Sequence, residues 1–208
     1  MSAGSFSCAA ERNGPPILGV LRRELAHSRT VLEIGSGTGQ HAVAFAKALG
    51  HLAWQPSDLA EHRVGIRARL ADSAVPNVLD PLELDVRTDE LPEGVPYDAA
   101  FSANTAHILS ADAVRSMFAL VAASLRTGGK FCLYGPFRQG GEFNSASNAG
   151  FDASLRARDP AMGIRDLEEL DAFGLAGGLQ RRRLYAMPAN NQLTVWRKSA
   201  QDRRDDHA

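Results

Sequence analysis

The sequence predicts an α/β fold, built as a doubly wound and mostly parallel sheet with helices on both faces. Strand-like and helix-like segments alternate from Thr30 to Tyr134, as they do where crossover helices join parallel strands. The first strand, Thr30–Ile34, runs through a turn with glycines at alternate positions into a helical pattern. Two more strands around a short polar turn, within Leu179–Lys198, predict a hairpin at the end of the sheet.

The segment before the first strand is predicted to form one helix. Residues 1–9 are small and polar, and we expect them to be flexible. Pro15 and Pro16 suit a helix start, where the missing N–H would have no partner anyway. Four aliphatic residues then share one face, which predicts a helix from Pro15 to Ala26 that packs on the sheet: Ile17, Leu18, Leu21 and Leu25.

The turn after the first strand, EIGSGTGQH at Glu33–His41, carries the strongest ligand signal. Glycine lets the backbone adopt positive φ and lets a ligand approach without meeting a Cβ. The third glycine comes one position too early for the dinucleotide fingerprint, and no Gly-Lys-Ser/Thr follows as in a P-loop. Glu33 would repel a pyrophosphate but attract a sulfonium or an amino group. The pattern resembles motif I of the class I methyltransferases, which bind S-adenosylmethionine (SAM).

The second strand leads to another acidic residue. The strand is predicted at Leu52–Pro56, and Asp58 follows it, 19 residues after Gly39. Folds of this type place a ribose-binding carboxylate about 20 residues past the glycines. A helix is predicted for Leu59–Asp72.

The third strand, predicted at Val78–Leu84, also ends at an acidic residue, Asp85. A carboxylate there could accept a hydrogen bond from the adenine amino group, while the backbone amide of Val86 meets the ring. A simple turn residue is the alternative interpretation of Asp85.

The fourth and fifth strands frame the next helix. Tyr97–Ala103 is the fourth strand and is followed directly by Asn104. Ser110 is a suitable N-cap for a helix with a continuous apolar stripe. Gly128-Gly129 is predicted to end that helix, before a fifth strand at Lys130–Tyr134.

The remainder of the chain combines a long loop, a helix and the hairpin. Segment 136–164 is rich in Gly, Asn and Ser, and we interpret it as a substrate lid with a short helix at Asn148–Arg158. Asp166 starts a capping-box pattern for a helix to about Gly174. The charged tail 199–208 is predicted to be flexible.

Composition limits the class of protein. The 208 residues suit one domain, 1–208, and 44% hydrophobic and 23% charged residues are ordinary for a globular protein. A net charge of −1 gives no drive towards nucleic acid or membrane. Cys8 and Cys132 form no metal-ligand spacing, and no Asp/Glu/His set does either, so we expect no metal. Without a signal-like N-terminus, we expect a cytoplasmic protein.

Longer stretches of the sequence resemble one family. AAERNGPPIL, VLEIGSGTGQHAVAFA, WQPSD, FSANTAHI, MPANNQLTVWRK and the run from Leu133 to Asp166 are similar to stand-alone class I methyltransferases known as a domain of unknown function, the methyltransferase-like protein twenty-six type. The resemblance covers about Cys8 to Lys198. It implies a Rossmann-like sheet in the order 3-2-1-4-5-7-6 and SAM as cofactor, with S-adenosylhomocysteine (SAH) as product.

The resemblance also implies a cofactor site. It assigns the methionine part to the glycine turn, the ribose to Asp58, and the adenine to Asp85 with Val86. Asn104 would border the methionine and face the transferred methyl group. The implied cofactor-binding residues are Glu11, Arg12, Asn13, Glu33, Gly35, Ser36, Gly37, Gly39, Gln40, Asp58, Asp85, Val86 and Asn104.

The acceptor side is predicted from chemistry near the ends of the fourth and fifth strands. His107 is a candidate general base for a hydroxyl or thiol acceptor, and a structural histidine is the alternative. Aromatic walls with few polar groups would suit a small, partly apolar molecule. The predicted acceptor-binding residues are Tyr134, Phe137, Phe143, Asn144, Phe151, Arg158 and Asn190.

These features predict a methyltransferase that uses SAM to methylate a small molecule, with O- or S-methylation favoured and His107 and Asn104 as catalytic residues. Two alternatives stay open: a SAM-binding regulatory or scaffold protein without turnover, and a nicotinamide-dependent oxidoreductase. The expected partner is a small-molecule acceptor, with no nucleic acid and no membrane, and the expected state is a monomer or homodimer.

Overall fold

The computed structural model of the protein describes residues 6–91, 94 and 96–200. Strands and helices alternate through most of this range. In chain order the elements are α1 (Cys8–Glu24), β1 (Thr30–Ile34), α2 (Gln40–Ala48), β2 (Ala53–Asp58), α3 (Ala60–Ser73), β3 (Leu82–Glu83), β4 (Tyr97–Ala103), α4 (Ala111–Ser124), β5 (Leu125–Gly135), β6 (Arg138–Gln139), β7 (Glu142–Phe143), α5 (Ala146–Arg158), α6 (Leu167–Ala176), β8 (Leu179–Met187) and β9 (Asn191–Lys198).

Seven of the strands form one sheet in the order β3-β2-β1-β4-β5-β9-β8. Strands β1 to β5 are parallel to their neighbours within that set, and β9 runs antiparallel to both β5 and β8. With β8 and β9 as sixth and seventh strands, this order is 3-2-1-4-5-7-6, so the predicted fold is confirmed. We call the side on which the five parallel strands end the carboxyl edge; their last residues are Ile34, Asp58, Glu83, Ala103 and Gly135.

Apolar layers cover both faces of the sheet. On the α1 face, α1 and α2 pack over Trp54 and Phe101, whose rings contact Phe45 at centroid distances of 5.8 and 5.6 Å. On the α4 face, α4 and α6 pack over Phe131 and Trp196. Successive side chains of β5 alternate between these faces, which divides the carboxyl edge into two sides.

Helix α1 begins at Cys8, seven residues earlier than predicted, and Ser7 caps it by accepting a hydrogen bond from the amide of Ala10. Pro15 and Pro16 therefore lie inside the helix. Their missing N–H groups would have bonded to carbonyls of residues 11 and 12, which are exposed, so water can satisfy those carbonyls. Residues 8 and 9, predicted from the sequence to be flexible, form the first turn of α1, and residues 1–5 and 201–208 lie outside the described part.

Two strand boundaries also differ from the prediction. Helix α4 ends at Ser124 and β5 begins at once, because Leu125 is buried and pairs with Tyr97. Gly128-Gly129 thus lies within β5, beside a register shift, and does not end the helix. In the third strand only Leu82–Glu83 is regular, with one bridge from Val78 to Trp54.

The carboxyl-terminal elements follow the prediction closely. Segment 136–164 holds the short ribbon β6–β7 and helix α5, which begins two residues before the predicted start. Asp166 caps α6 through the amide of Glu168. The hairpin of β8 and β9 turns at residues with positive φ, among them Asn190. In the described residues, no helix is both long enough and apolar enough to span a bilayer.

Candidate functional site

The glycine turn ties the ends of β1 and β2 together. The amides of Gly35 and Ser36 both donate to the carbonyl of Ser57 at 3.0 Å. The amide of Gly37 donates to Asp58 Oδ2 at 2.6 Å. Gly35, Gly37 and Gly39 have φ values of 71°, 55° and 72°, which glycine adopts without strain.

The turn also leaves room for a ligand. At Gly35 an added Cβ would lie 2.5 Å from Thr105 Cγ2, so β1 and the segment after β4 approach closely. At Gly37, in contrast, an added Cβ would meet nothing within 4 Å. A cleft of about 280 Å³ opens here, lined by Gly37 and Thr38 and by residues of α3. Bare backbone therefore faces open space at the carboxyl edge.

Glu33 lies buried beneath the turn. Its Oε2 accepts hydrogen bonds from Trp54 Nε1 and Ser36 Oγ, both at 2.9 Å. Burial raises the pKa of Glu33 to about 7, and the nearby Asp58 charge adds to this, although the two hydrogen bonds act in the opposite direction. The side chain can thus change its charge near neutral pH.

Asp58 is the last residue of β2, and Asp85 follows the neighbouring strand β3. Asp58 accepts from the amides of Gly37 and Leu59, at 2.6 and 2.8 Å. Asp85 pairs with Arg87, which lowers the pKa of the Asp85 carboxyl. Val86 beside it is half-buried. Both predicted carboxylates therefore reach the carboxyl edge, but Asp85 already has a cationic partner.

Helix α1 is fastened to the glycine-turn helix by its first turns. Gln40 accepts from the amide of Ser7 at 2.5 Å and donates to its carbonyl at 3.3 Å, so this amide holds α1. Asn13 is buried and contacts His41 Nε2 at 2.8 Å and the hydroxyl of Tyr134. Glu11 and Arg12, in contrast, are exposed. Of these three predicted contacts, only Asn13 is anchored at the carboxyl edge.

Asn104 lies where β4 and β5 end. Its φ of 61° is in the left-handed region, and its amide donates to the carbonyl of Tyr134 at 2.9 Å. The preceding strand is fixed by Ser102, whose hydroxyl bonds to the carbonyl of Ile34 and to the hydroxyl of Thr105. The backbone of the half-buried Asn104 is thus held between the end of β1 and the end of β5.

His107 is buried on the α4 face of the carboxyl edge. Its ring contacts Phe151 edge-to-face at 5.2 Å, and its carbonyl accepts from the amide of Gly163. Burial lowers the pKa of His107 to about 4, and the charge of Arg165 adds to this. No hydrogen bond joins its ring nitrogens to any residue that the structure describes. The imidazole is therefore neutral and free to bond.

The predicted acceptor residues do not form one cluster. Tyr134 lies on the α1 face, whereas Phe137 is buried on the α4 face. Phe143 packs under the guanidinium of Arg138, 5.6 Å away. The remaining four are distributed over the lid and the hairpin turn: Asn144 and Asn190 bonded to each other, Phe151 against His107, and Arg158 exposed at the end of α5.

A larger cavity of about 720 Å³ lies elsewhere, against α4 and Tyr97. Tyr97 begins β4, so this cavity lies away from the glycine turn and contains none of the predicted residues except Val86. Among the described residues, no group of three or more His, Cys, Asp or Glu could hold a metal ion.

The family of the chain follows from a profile match. The family described as "Protein of unknown function (DUF938)" matches residues 4–198, nearly the whole sequence. The chain belongs to this family. The DUF938 match confirms the family resemblance carried by the sequence motifs.

Several solved structures similar to this DUF938 protein are described as methyltransferases. They include an O-methyltransferase family protein from Burkholderia thailandensis (TM-score 0.77, 17% identity, 93% of this chain and 58% of that one) and mitomycin 7-O-methyltransferase MmcR (0.79, 16%, 92% and 54%). Human N-acetylserotonin methyltransferase in complex with SAM has a TM-score of 0.76 and 15% sequence identity, and the match covers 92% of this chain and 53% of that one. This chain spans little more than half their length. At identities this low, the structural similarity shows a shared fold alone.

Two residues that the sequence did not single out shape the DUF938 site. Trp54 orients Glu33 through its indole N–H. Arg165 is buried, and its guanidinium donates to the carbonyls of Ala106, Leu109 and Ala161. It thereby joins the end of the lid segment to the loop that carries His107. No local sequence pattern around Trp54 or Arg165 predicts these contacts, because their partners are distant in the chain.

Proposed function

We propose that this DUF938 protein is a SAM-dependent methyltransferase acting on a small-molecule acceptor. One observation carries the proposal: Glu33, Asp58, Asp85 and Asn104 meet at the carboxyl edge around a turn whose backbone is open at Gly37. Carboxylates close to an open glycine turn suit a ligand with a positive centre, ribose hydroxyls and an amino-substituted ring.

The chain's own residues would divide the cofactor between them. Asp58 would bind the ribose hydroxyls, since each of its oxygens accepts only one amide and has further lone pairs. Asp85 and Val86 would meet the adenine, and Asp85 must share its carboxylate with Arg87. Glu33 and the glycines would surround the methionine part. The bound cofactor supplies an activated methyl group.

Gln40 and the Glu11–Asn13 segment have a different proposed role. The Gln40 amide bonds to Ser7 and to the Thr38 hydroxyl, so its side chain acts on the cofactor through the position of α1. Asn13 is joined to His41 and Tyr134, and together these contacts hold the helix across the carboxyl edge. We infer that this segment closes the cofactor site and excludes water.

On the acceptor side, we propose Asn104 and His107 as the catalytic residues. Alignment of the acceptor with the methyl group supplies most of the catalysis in such a reaction. His107 keeps its proton-accepting nitrogen free, as a base must, but a pKa of about 4 makes it a weak one. We therefore propose O- or S-methylation of a group that loses its proton readily, such as a phenol or a thiol.

The molecular setting belongs to the same proposal. We infer one domain, 1–208, in which segment 136–164 covers the acceptor and the chain is a monomer or a homodimer in the cytoplasm. The lid assignment is supported by its contacts: the amide of Gly163 bonds to the carbonyl of His107, and Asp152 accepts from the amide of Ile164. The net charge of −1 supports a small-molecule partner over nucleic acid or membrane.

Calorimetry with SAM and SAH tests the proposal. We expect saturable binding, and a loss of at least about tenfold in affinity for Asp58→Ala, because ribose hydrogen bonds to a carboxylate are charge-assisted. Gly37→Val should have a similar effect, since its side chain would occupy the open space. Asp80→Ala, at an exposed ion pair with Arg67, is the matched control and should bind normally.

Each other outcome has a defined meaning. Absence of binding by both SAM and SAH would refute the proposal, and saturable binding of NADH in their place would indicate an oxidoreductase. Cofactor binding without methyl transfer to any of a panel of phenols and thiols would instead indicate a regulatory or scaffold protein.

A further inference from the structure

Beneath the lid, the α4 face of β5 and β9 carries an unusual group of polar side chains. Gly135 and Gln192 are paired across the two strands, and Thr194 lies two residues further along β9. Side chains two residues apart share a face of a sheet. Leu133 and Trp196, at alternate positions of the same strands, belong to the α4-face core, so Gln192 and Thr194 point to that face too.

One polar atom on each of the Gln192 and Thr194 side chains has no hydrogen-bond partner among the described residues. Gln192 Oε1 and Thr194 Oγ1 are both buried, and neither has a hydrogen bond to the part of the chain that the structure describes. Thr194 is fully buried, with 0% of its surface exposed. A buried polar atom without a partner costs about 1–3 kcal/mol, so native proteins retain few of them unless a ligand or water satisfies them.

Above Gly135, on the α4 face, lie His107 and the first residues of the lid segment 136–164. A Cβ added to Gly135 would lie 3.7 Å from His107 Nδ1 and 3.7 Å from Phe137 Cζ. Paired residues of antiparallel strands have Cβ positions about 4.5–5.5 Å apart, so the Gln192 side chain starts beside the same point. The absent side chain of Gly135 therefore leaves a space between Gln192 and the unbonded imidazole of His107.

Arg138 follows Phe137 in the chain, and its positive charge acts on Asp152, the neighbour of the Phe151 that contacts His107. The Arg138 Nε is buried and has no hydrogen-bond partner among the described residues, while the Arg138 amide is fixed to the carbonyl of Arg165. No described carboxylate lies within ion-pair distance of Arg138. The charges of Asp152 and Asp166 are nevertheless close enough to interact with it. These carboxylates offset the positive charge, which makes the site a poor match for an anion.

We propose that Gln192, Thr194 and His107 form a polar niche that binds an uncharged hydrogen-bonding group of the acceptor, a hydroxyl or a carboxamide. The niche offers both donors and acceptors, as such groups require, and Phe137 and Phe151 provide aromatic walls for the ring or chain that carries the group. The inference rests on the proposed function, since it names the acceptor chemistry of the same site.

Fragment binding to the SAH-loaded protein tests the niche. Phenol and benzamide serve as neutral probes and benzoate as the charged comparison, titrated by NMR with the Gln192 amide and His107 imidazole signals as reporters. We expect saturable binding of both neutral probes, weaker binding of benzoate, and shifts of those signals. Gln192→Met and Thr194→Val should each weaken the neutral probes about three- to tenfold, the effect of one lost hydrogen bond.

Matched variants separate binding from structure. Gln180→Met changes an exposed glutamine of β8, and Thr194→Ser keeps the hydroxyl, so both should bind the probes as the natural protein does. Thr194→Val should also keep or raise the melting temperature, because it removes a hydroxyl without a partner. A lower melting temperature for Thr194→Val would show that the hydroxyl has a structural partner and would overturn the proposal.

Three further results would contradict it: no saturable binding of either neutral probe, equal affinities in all variants, or a crystal structure with ordered water only that phenol does not displace. Calorimetry with SAH on the same variants keeps the two proposals apart. Normal SAH binding without probe binding refutes the niche alone. If SAH does not bind, the proposed function fails, and the probes are titrated without SAH to judge the niche.

Discussion

At the scale of single residues, Glu33 is held in an environment that disfavours its charge. The carboxyl is buried below the glycine turn, and Trp54 and Ser36 supply its two hydrogen bonds. Its pKa of about 7 in the folded protein is far above the usual value of 4.5. The folded state therefore binds a proton that the unfolded chain releases near pH 4.5, and this contribution to stability is lost as the pH rises through 7.

Glu33→Gln should remove this pH dependence. Glutamine stays neutral and its carbonyl oxygen can accept from the same two donors, so the variant should gain stability relative to the natural protein between pH 5 and pH 8, by about 1–3 kcal/mol. Urea unfolding at both pH values measures the difference. Glu142→Gln, at an exposed position, is the control. An equal stability difference at the two pH values would contradict the expected raised pKa.

At the scale of elements, close contacts set how the helices meet the sheet. Gly177, which caps α6, approaches α4 so closely that an added Cβ would lie 2.4 Å from Ala122 Cβ. Trp196 of β9 also donates to Asp171 of α6 at 2.8 Å. The position of α6 matters for the site, because Asp166 at its start accepts from the amide of Gly141 in the lid segment.

Gly177→Ala should therefore push α6 away from α4. We expect a loss of about 1–3 kcal/mol in the free energy of unfolding, the usual cost of overpacking. Gly19→Ala offers a matched comparison in α1, where an added Cβ meets nothing within 4 Å, and should stabilise by about 0.5–1 kcal/mol. Chemical denaturation of both variants checks this, and equal effects would show that the contact with Ala122 is not limiting.

At the scale of the whole molecule, the site divides along the sheet. Strands β1 to β3 present the residues proposed for the cofactor, whereas β5 and β9 present the niche proposed for the acceptor. Asn104 lies between them, because β4 is the neighbour of both β1 and β5. Helix α1 reaches both halves, through Gln40 at the turn and through Tyr134 on β5.

Hydrogen exchange in the presence of SAH should reflect this division. We expect slower exchange where the cofactor is proposed to bind and where α1 closes over it, and unchanged exchange in α6 and β8. Mass spectrometry of the amide hydrogens with and without SAH measures it. Protection centred on α6 or β8 would place the ligand elsewhere. The segments expected to gain protection are 7–13, 35–40, 58–59, 85–86 and 104–105.

Much of this arrangement could be predicted from the sequence because it depends on local patterns. Alternating strands and helices fix a parallel sheet, and parallel strands bring their ends to one edge. Glu33, Asp58, Asp85 and Asn104 can therefore be assigned to the same edge from the sequence alone. The glycine turn was recognisable for the same reason, since positive φ at alternate residues favours glycine.

What only the tertiary structure decided involves contacts between distant parts of the chain. The start of α1 depends on Gln40, and the start of β5 depends on the pairing of Leu125 with Tyr97. Arg165 and the niche at Gln192 have no local pattern at all, because burial and hydrogen-bond satisfaction are set by whichever segments happen to cover a residue. Local sequence thus determined which elements form and where their ends meet, and packing decided which side chains are left with unused hydrogen bonds.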